Sequence, residues 1–232
     1  MVRVKICGIR SLEEAHWAFN SGADAIGFIF VSQSKRYIQP EHAREISLSL
    51  PPFIARVGVF VNEDPIIVAE IVQKCHLTAI QLHGTENPED YQNIGVPCIK
   101  AINISVDNYI SSIGTTIPPS DQPFFDLKLP LQNWTGLVQG VLVDASYQGQ
   151  LGGTGTPLPW EDPSLQHLFD RIRSFNIPLI LAGGLSPVNI QHAIRAVKPY
   201  GVDVSSGVEL LGTKRPDLIK SFIERAKIII DV

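Results

Sequence analysis

The stretches PLILAGGL (residues 178–185) and GVDVSSGVEL (residues 201–210) decide the fold of this chain. Each begins as a short apolar run rich in β-branched residues and then breaks into small residues. This pattern is typical of a buried parallel strand that ends in a turn leading to a helix. Because glycine lets the backbone approach a ligand and present its N–H groups, both turns are suited to binding an anion. A (β/α)8 barrel holds a phosphate with two such turns, after its seventh and eighth strands.

Eight apolar runs recur along the chain, and we predict that each of them is a strand. Stretches with helical spacing of apolar residues follow most of these runs, and this alternation predicts parallel βαβ units. The predicted strands lie at residues 2–6, 24–30, 55–61, 78–82, 97–102, 140–144, 178–182 and 202–206. The predicted helices after the first lie at residues 39–49, 64–75, 164–174, 187–197 and 216–230. We therefore predict an α/β fold, a single-domain (β/α)8 TIM barrel that comprises residues 1–232.

The ends of the predicted helices carry further signals. Ser11 is followed three residues later by Glu14, a capping box that begins the first helix, and Gly22 is placed to end it. Pro65 and Pro187 are expected in the first turns of their helices, where the missing N–H of proline costs nothing.

One connection is longer than a usual βα crossover. Between the fifth and sixth predicted strands the chain is rich in Pro, Ser and Asp, and we predict a surface insertion at about residues 105–139. The segment PFFDLK (residues 123–128) within it is either a short extra strand or an apolar flap. The sequence therefore leaves an open, doubly wound sheet as an alternative.

Composition excludes several classes of function. Of 232 residues, 44% are hydrophobic and 18% charged, which is typical of a soluble globular protein. The net charge of −4 and the lack of a basic block argue against a nucleic-acid partner or an anionic membrane surface. No apolar run approaches the ~18 residues of a membrane span. Three cysteines without a CxxC pair favour a reducing compartment, so we expect a cytoplasmic protein.

Two residues at predicted strand ends are candidates for acid–base chemistry. Functional side chains of a barrel lie at the C-terminal ends of its strands. Cys7 lies there with Lys5 on the same side of the strand, so its thiolate is a candidate base or nucleophile, although many cysteines are simply buried. Asp144 ends the apolar run VLVD, where a carboxylate is costly unless it binds something or reacts. We predict that both are catalytic.

Three further residues are predicted to bind the substrate. Arg36 lies in the loop VSQSKRYI, and its planar fork suits a carboxylate, although loop arginines are usually solvated. His83 in QLHG is either a ligand contact or an ordinary histidine at the barrel rim, and Asp203 bonds either the last loop or the ligand. The six histidines show no HExxH or paired spacing, so no metal site is predicted.

Glycine-rich turns complete the predicted site. GGTG (residues 152–155) lacks the Lys-Ser/Thr pair of a nucleotide-binding P-loop, and we predict a lid formed by Gly153, Thr154 and Gly155. The predicted phosphate-binding residues are Gly183, Gly184, Ser205, Ser206 and Gly207.

Taken together, the motifs of the chain resemble the phosphoribosylanthranilate isomerase family of the tryptophan pathway. The motifs are KICGI, GADAIGFIF, SKRYI, VGVFVN, QLHG, VLVDA, LGGTG, LAGGL and VDVSSGVE, in this order along nearly the whole chain. The combination of KICG with DVSSGVE is specific to the family, whereas single glycine motifs are not.

The resemblance implies a (β/α)8 barrel that performs an Amadori rearrangement of a small phosphosugar, N-(5-phosphoribosyl)anthranilate, without a metal or an organic cofactor. By resemblance, Cys7 is the general base, Asp144 is the general acid, and Arg36 pairs with the anthranilate carboxylate. Such barrels occur as monomers or homodimers, and we expect one of these two states.

Two alternatives stay open at this point. One is a related phosphoribosyl isomerase of the histidine pathway, or an enzyme that performs both reactions; those barrels carry an aspartate where this chain has Cys7. They also hold two phosphates, whereas one glycine-rich pair is evident here. The other is a non-catalytic barrel that binds a phosphosugar or flavin, which would have no reason to retain both Cys7 and Asp144.

Overall fold

Eight parallel strands form a closed ring in the computed structural model, because β8 pairs back onto β1. The structure describes residues 1–105, 130–146 and 158–228. The predicted barrel is confirmed, and the closed ring rules out the open, doubly wound sheet. The strands are β1 (Arg3–Cys7), β2 (Ala25–Ile29), β3 (Ala55–Phe60), β4 (Ala79–Leu82), β5 (Cys98–Ser105), β6 (Gly140–Ser146), β7 (Leu179–Leu181) and β8 (Gly201–Val204).

Helices cover the outside of the ring between the strands. They are α1 (Leu12–Asn20), α2 (Pro40–Ser49), α3 (Pro65–Lys74), α4 (Leu131–Trp134), α5 (Pro163–Ser174), α6 (Ile190–Val197) and α7 (Pro216–Lys227). Two 3₁₀ helices (Pro88–Ile94 and Ser206–Val208) and a small hairpin of β9 (Glu209–Leu210) and β10 (Thr213–Lys214) complete the described elements. None of these helices is both long and apolar enough to cross a bilayer, within the residues that the structure describes.

The sequence signals at the helix ends are confirmed in part. The Ser11 side chain accepts a hydrogen bond from the Glu14 N–H, and Gly22 follows the helix with a φ of 93°. The Glu14 carboxylate, however, accepts from the N–H of Arg10, one residue before the cap. Pro65 begins α3 as predicted, behind the capping carboxylate of Asp64. Together these caps fix where each helix leaves its strand.

The prediction for Pro187 is wrong, because α6 begins only at Ile190. Pro187 lies in the turn before the helix. The Asn189 side chain holds that turn: its Oδ1 accepts from the N–H of Ser186 and its Nδ2 donates to the carbonyl of Gly184, both at 2.8 Å. These residues therefore shape the loop after β7 rather than extend the helix.

The predicted insertion falls mostly outside the described residues. Residues 106–129, which include PFFDLK, are not described, so the insertion at about residues 105–139 stays a prediction. Its described end carries α4, whose Leu131 and Trp134 are buried against the barrel.

The alternation of side chains along the strands assigns residues to the two sides of the barrel. Val141 and Val143 belong to the large apolar cluster under the helices, whereas Leu142 belongs to a separate small cluster with Ala101 and Ala182. Because side chains alternate along a strand, Leu142 faces the barrel interior, and Asp144 two residues later faces it as well. The interior is thus apolar below and becomes polar towards the C-terminal ends of the strands.

Candidate active site

Buried polar side chains gather at the C-terminal end of the barrel. Four of the five predicted catalytic and substrate-binding residues are among them: Cys7 is 5% exposed, Asp144 6%, Arg36 7% and Asp203 8%. Burial of so many ionisable groups is costly unless each is paired. The pairing of these groups therefore determines what the site can do.

Cys7 ends β1, next to β2. A Cβ on Gly27 would lie 2.7 Å from the Cys7 sulfur, so glycine at this position makes room for the thiol. Burial raises the pKa of Cys7 above its ordinary value; the nearby charge of Lys5 lowers this pKa but does not outweigh burial and the Asp203 carboxylate. The thiol is therefore the main form at neutral pH, and it becomes a base by losing its proton at a site flanked by lysine.

Lys5 lies between two partners inside the barrel mouth. Its ammonium Nζ is 3.0 Å from Asp203 Oδ2 and donates to Gln81 Oε1 at 2.9 Å. Burial alone would lower the pKa of Lys5, but the Asp203 charge and Cys7 raise it overall, so Lys5 stays charged. The second oxygen of Asp203, Oδ1, is buried and has no hydrogen-bond partner among the described residues.

The other side of the mouth holds the predicted acid. The Nε2 atom of His83 is 3.4 Å from Asp144 Oδ2 and 3.1 Å from Asn103 Oδ1. The opposite ring nitrogen, Nδ1, is 2.8 Å from Gln81 Nε2. The structure thus brings His83 and Asp144 together, and Gln81 connects them to Lys5.

Arg36 forms a contact that the sequence did not predict. Its guanidinium makes a bidentate ion pair with Glu209, and Lys214 Nζ lies 2.9 Å from the same carboxylate. The arginine stem lies against Gly8, where a Cβ would be 2.6 Å from Arg36 Cδ. Glu209 and Lys214 were missed: Glu209 stands in the VDVSSGVE motif, but nothing local to it indicates Arg36 as its partner.

The two glycine-rich turns meet at the top of β7 and β8. A Cβ on Gly207 would lie 1.8 Å from the carbonyl oxygen of Leu185, so the loops touch there. Gly183 and Gly184 adopt φ values of 81° and 63°, which favour glycine. The backbone N–H groups of all three glycines have no acceptor in the described parts of the chain. The predicted phosphate-binding residues thus form one edge of the mouth.

The neighbouring serine ties this edge to the first strand. Ser205 Oγ donates to the carbonyl oxygen of Cys7 at 3.1 Å, and Ser206 begins the short 3₁₀ helix beside it. The candidate base and the phosphate edge are therefore held in one rigid unit.

Two further points concern the predicted lid and metal binding. Gly153, Thr154 and Gly155 lie outside the described residues, so the lid stays a prediction. Within residues 1–105, 130–146 and 158–228, no group of His, Cys, Asp and Glu side chains is placed to hold a metal ion.

Comparison with known proteins points to one family. The family described as N-(5'phosphoribosyl)anthranilate (PRA) isomerase matches residues 4–225. An N-(5'-phosphoribosyl)anthranilate isomerase of Desulfitobacterium hafniense is 49% identical over 236 residues, an alignment that covers 98% of each chain.

Solved structures agree with this match. The crystal structure of phosphoribosyl anthranilate isomerase from Thermotoga maritima is 41% identical and superposes with a TM-score of 0.78, covering 99% of this chain and 100% of that one. A phosphoribosyl anthranilate isomerase in complex with reduced 1-(o-carboxyphenylamino)-1-deoxyribulose 5-phosphate is 40% identical, with a TM-score of 0.75 and the same coverage. With a match over almost its whole length and a barrel of the same form, the chain belongs to the N-(5'-phosphoribosyl)anthranilate isomerase family.

Proposed function

We propose that this chain converts N-(5-phosphoribosyl)anthranilate to 1-(2-carboxyphenylamino)-1-deoxyribulose 5-phosphate, with Asp144 as general acid and Cys7 as general base. One observation carries these roles: both side chains are buried in the barrel mouth, Cys7 as the last residue of β1 and Asp144 two residues before the end of β6. These strands are three steps apart around the ring. Two groups on opposite sides of one pocket can act on different atoms of a single bound sugar.

The ends of the substrate are expected to be fixed by two different contacts. The N–H groups of Gly183, Gly184 and Gly207 have no acceptor in the described parts of the chain, and together with Ser205 and Ser206 they suit a phosphate. When both ends of the substrate are bound, its reacting atoms are held next to the acid and the base, so both proton transfers occur within one oriented complex.

The carboxylate of the anthranilate ring is assigned to Arg36. Glu209 takes the Nε and Nη2 donors on one side of the guanidinium. Nη1 donates to no described residue, so the outer edge of the fork is available to a second carboxylate.

The first step opens the sugar ring. Asp144 donates its proton to the furanose ring oxygen as the bond from that oxygen to C1 breaks. The lone pair of the anilino nitrogen forms a C1–N double bond, which gives a Schiff base. Asp144 is left as a carboxylate beside the Nε2 atom of His83, at 3.4 Å.

The second step moves the double bond. Cys7 removes the proton from C2, the electron pair of that C–H bond forms a C1–C2 double bond, and the pair of the C–N double bond returns to nitrogen. The resulting enolamine loses its O2 proton and gains a proton at C1, which gives the ketone. Each positioned proton-transfer group supplies roughly 10²–10⁴-fold in rate.

Asp203 is assigned to a hydroxyl group of the substrate, whereas both ring nitrogens of His83 already face protein side chains. The Asp203 Oδ1 atom is buried without a partner in the described part of the chain, and a sugar hydroxyl would satisfy it. A phosphosugar is thus the proposed partner, and the state of the protein as monomer or homodimer stays a prediction.

Steady-state turnover of phosphoribosylanthranilate, generated in situ, tests these roles through the loss of its fluorescence. Cys7→Ser and Asp144→Asn are expected to lower kcat by about 10²–10⁴-fold. Cys98→Ser is the matched control, because Cys98 is also buried but begins β5 at the opposite end of the barrel. Full activity of Asp144→Asn would overturn the acid assignment. A folded wild-type protein that binds a phosphosugar without converting it would overturn the function.

A further inference from the structure

Gln81 is a polar side chain of β4 that lies between the two halves of the site. It is only 1% exposed. Its Oε1 accepts from Lys5 Nζ at 2.9 Å, and its Nε2 lies 2.8 Å from the Nδ1 atom of His83. A buried amide with partners on both sides is held in one orientation. That orientation determines which atoms of its neighbours donate a hydrogen bond and which accept one.

Lys5 determines which way the Gln81 amide points. An ammonium group has donors and no acceptor, so it must face the carbonyl oxygen of the amide. The NH₂ group of Gln81 then faces His83. Because that group donates, the Nδ1 atom of His83 must accept, and in a neutral imidazole the hydrogen is then on Nε2.

Asn103 independently indicates the same tautomer of His83. Its Nδ2 donates to the backbone carbonyl of His83 at 3.4 Å, which turns its Oδ1 towards the imidazole. Oδ1 lies 3.1 Å from His83 Nε2 and can only accept. Both anchors, the Lys5 charge acting through Gln81 on one side and the Asn103 amide oxygen on the other, therefore favour the hydrogen on Nε2.

A hydrogen on Nε2 of His83 affects the nearby carboxyl group of Asp144. The Nε2–H of His83 is directed towards Asn103 Oδ1, and Asp144 Oδ2 lies 3.4 Å from the same nitrogen. A donor at this position stabilises the carboxylate that remains after Asp144 has given up its proton. In this tautomer Nε2 cannot take a proton from Asp144, so His83 is not a competing base.

We propose that Gln81 is a positioning residue, which transmits the fixed orientation of Lys5 to His83 and thereby keeps an N–H donor facing the general acid. This inference rests on the proposed role of Asp144. The described hydrogen bonds of the Gln81 side chain go to Lys5 and His83 and not to Asp144, so its effect on the acid passes through the imidazole of His83.

The tautomer can be measured without any activity assay. In wild-type protein labelled with ¹⁵N-histidine, the ring nitrogens of His83 are expected to show hydrogen on Nε2, with a His83→Asn sample used to assign the signals. Gln81→Glu keeps an acceptor for Lys5 but replaces the donor that faces His83 with an acceptor. The hydrogen is then expected on Nδ1.

Kinetics of the same variants complete the test. Gln81→Glu is expected to lower kcat by about 10–100-fold, the range for loss of an orienting partner, while KM changes little. Gln139→Glu is the matched control, because Gln139 accepts from the Cys98 N–H at the far end of the barrel. Its His83 tautomer and its kcat should both match wild type. If Gln81→Glu does not fold, Gln81→Met, which removes the donor without adding charge, leaves Asn103 as the remaining anchor of the imidazole; the fraction of His83 with hydrogen on Nε2 is then expected to fall below that of wild type, and kcat with it.

The outcomes separate this inference from the proposed function. Hydrogen on Nδ1 in the wild-type protein would overturn the inference even if the enzyme is fully active. A moved tautomer with unchanged kcat would also overturn it. Failure of the function itself would be seen differently, as a wild-type protein with hydrogen on Nε2 that does not turn over the substrate.

Discussion

Arg36 and Glu209 form a bidentate ion pair, with Nε 2.7 Å from Oε1 and Nη2 2.8 Å from Oε2. The pair joins the loop after β2 to the strand that follows β8. Lys214 contributes a second cation, 2.9 Å from Oε1. Burial by itself raises the pKa of Glu209, but the Arg36 hydrogen bond and the Lys214 charge outweigh burial and lower the pKa to about 2. Glu209 is thus ionised at neutral pH and fixes the plane of the Arg36 guanidinium.

Replacement of Glu209 by glutamine is expected to weaken substrate binding. Glutamine offers one acceptor where the carboxylate offers two, so the guanidinium of Arg36 is no longer held in one plane. We expect KM to rise about tenfold, the effect of roughly 1.4 kcal/mol, with a smaller change in kcat. Steady-state kinetics measure both constants. Glu224→Gln, an exposed change on α7, is the control, and an unchanged KM for Glu209→Gln would refute the positioning of Arg36.

The same ion pair predicts a dependence of stability on pH. Because the folded-state pKa of Glu209 is lowered from 4.5 to about 2, its contribution is fully present above pH 4.5 and is lost as the pH falls through about 2. This contribution is on the order of 3 kcal/mol. Urea unfolding should show wild type more stable than Glu209→Gln near neutral pH, with the difference narrowing steadily below pH 4.5. A difference that stays constant down to pH 3 would contradict the lowered pKa.

The thiol of Cys7 is expected to react slowly with alkylating agents at neutral pH. Burial raises its pKa above the ordinary 9.0, so the reactive thiolate is a minor species there. The rate of modification by iodoacetamide, followed by mass spectrometry at this residue, should still be rising at pH 9. Cys75 and Cys98, with pKa values raised by burial to about 11 and about 12, should likewise react slowly at neutral pH. A rate that levels off below pH 8 would show that the lysine charges lower the pKa of Cys7 more than burial raises it.

Replacement of Gly207 by alanine is expected to disrupt the phosphate edge. The new Cβ would lie 1.8 Å from the carbonyl oxygen of Leu185, which is backbone and cannot turn away. The two loops must separate, and a misplacement of about 1 Å can cost 10²-fold in activity. We expect a loss of about this size in kcat/KM, together with weaker inhibition by inorganic phosphate. Gly140→Ala is the control, since the nearest atom to its Cβ would be the flexible end of Ile180, at 3.3 Å, and the nearest backbone atom, the carbonyl oxygen of Pro178, would be 3.6 Å away.

Much of the barrel was predictable because its strands are short, apolar and buried on both faces. Runs such as VLVD and GVDV are almost continuous in apolar character, as parallel strands are, and each predicted strand coincides with an observed one within a few residues. The start of α6 was not predictable from Pro187, because the decisive contacts are those of the Asn189 side chain with the turn.

The predicted site residues that the structure describes lie at one end of the barrel, but the sequence did not predict how they pair. Cys7, Asp144 and Asp203 were found because a polar residue that ends an apolar run is itself a local signal. Glu209 was missed because its partner Arg36 is 173 residues away in the chain. The role of Gln81 likewise depends on Lys5, which lies 76 residues earlier, so no local pattern reveals it.

The pairing of β1 with β8 has a consequence for the synthesis of the chain. Cys7 is synthesised well before several of the groups around it, which lie about 200 residues later in the chain: Asp203 pairs with Lys5, Ser205 bonds the Cys7 carbonyl, and Glu209 pairs with Arg36. A nascent chain that lacks residues 201–214 has no counter-charges for Lys5 and Arg36, and half of its phosphate edge is missing. Translation therefore delivers Cys7 long before the groups that surround it in the folded chain, and its pocket is complete only when the ring has closed.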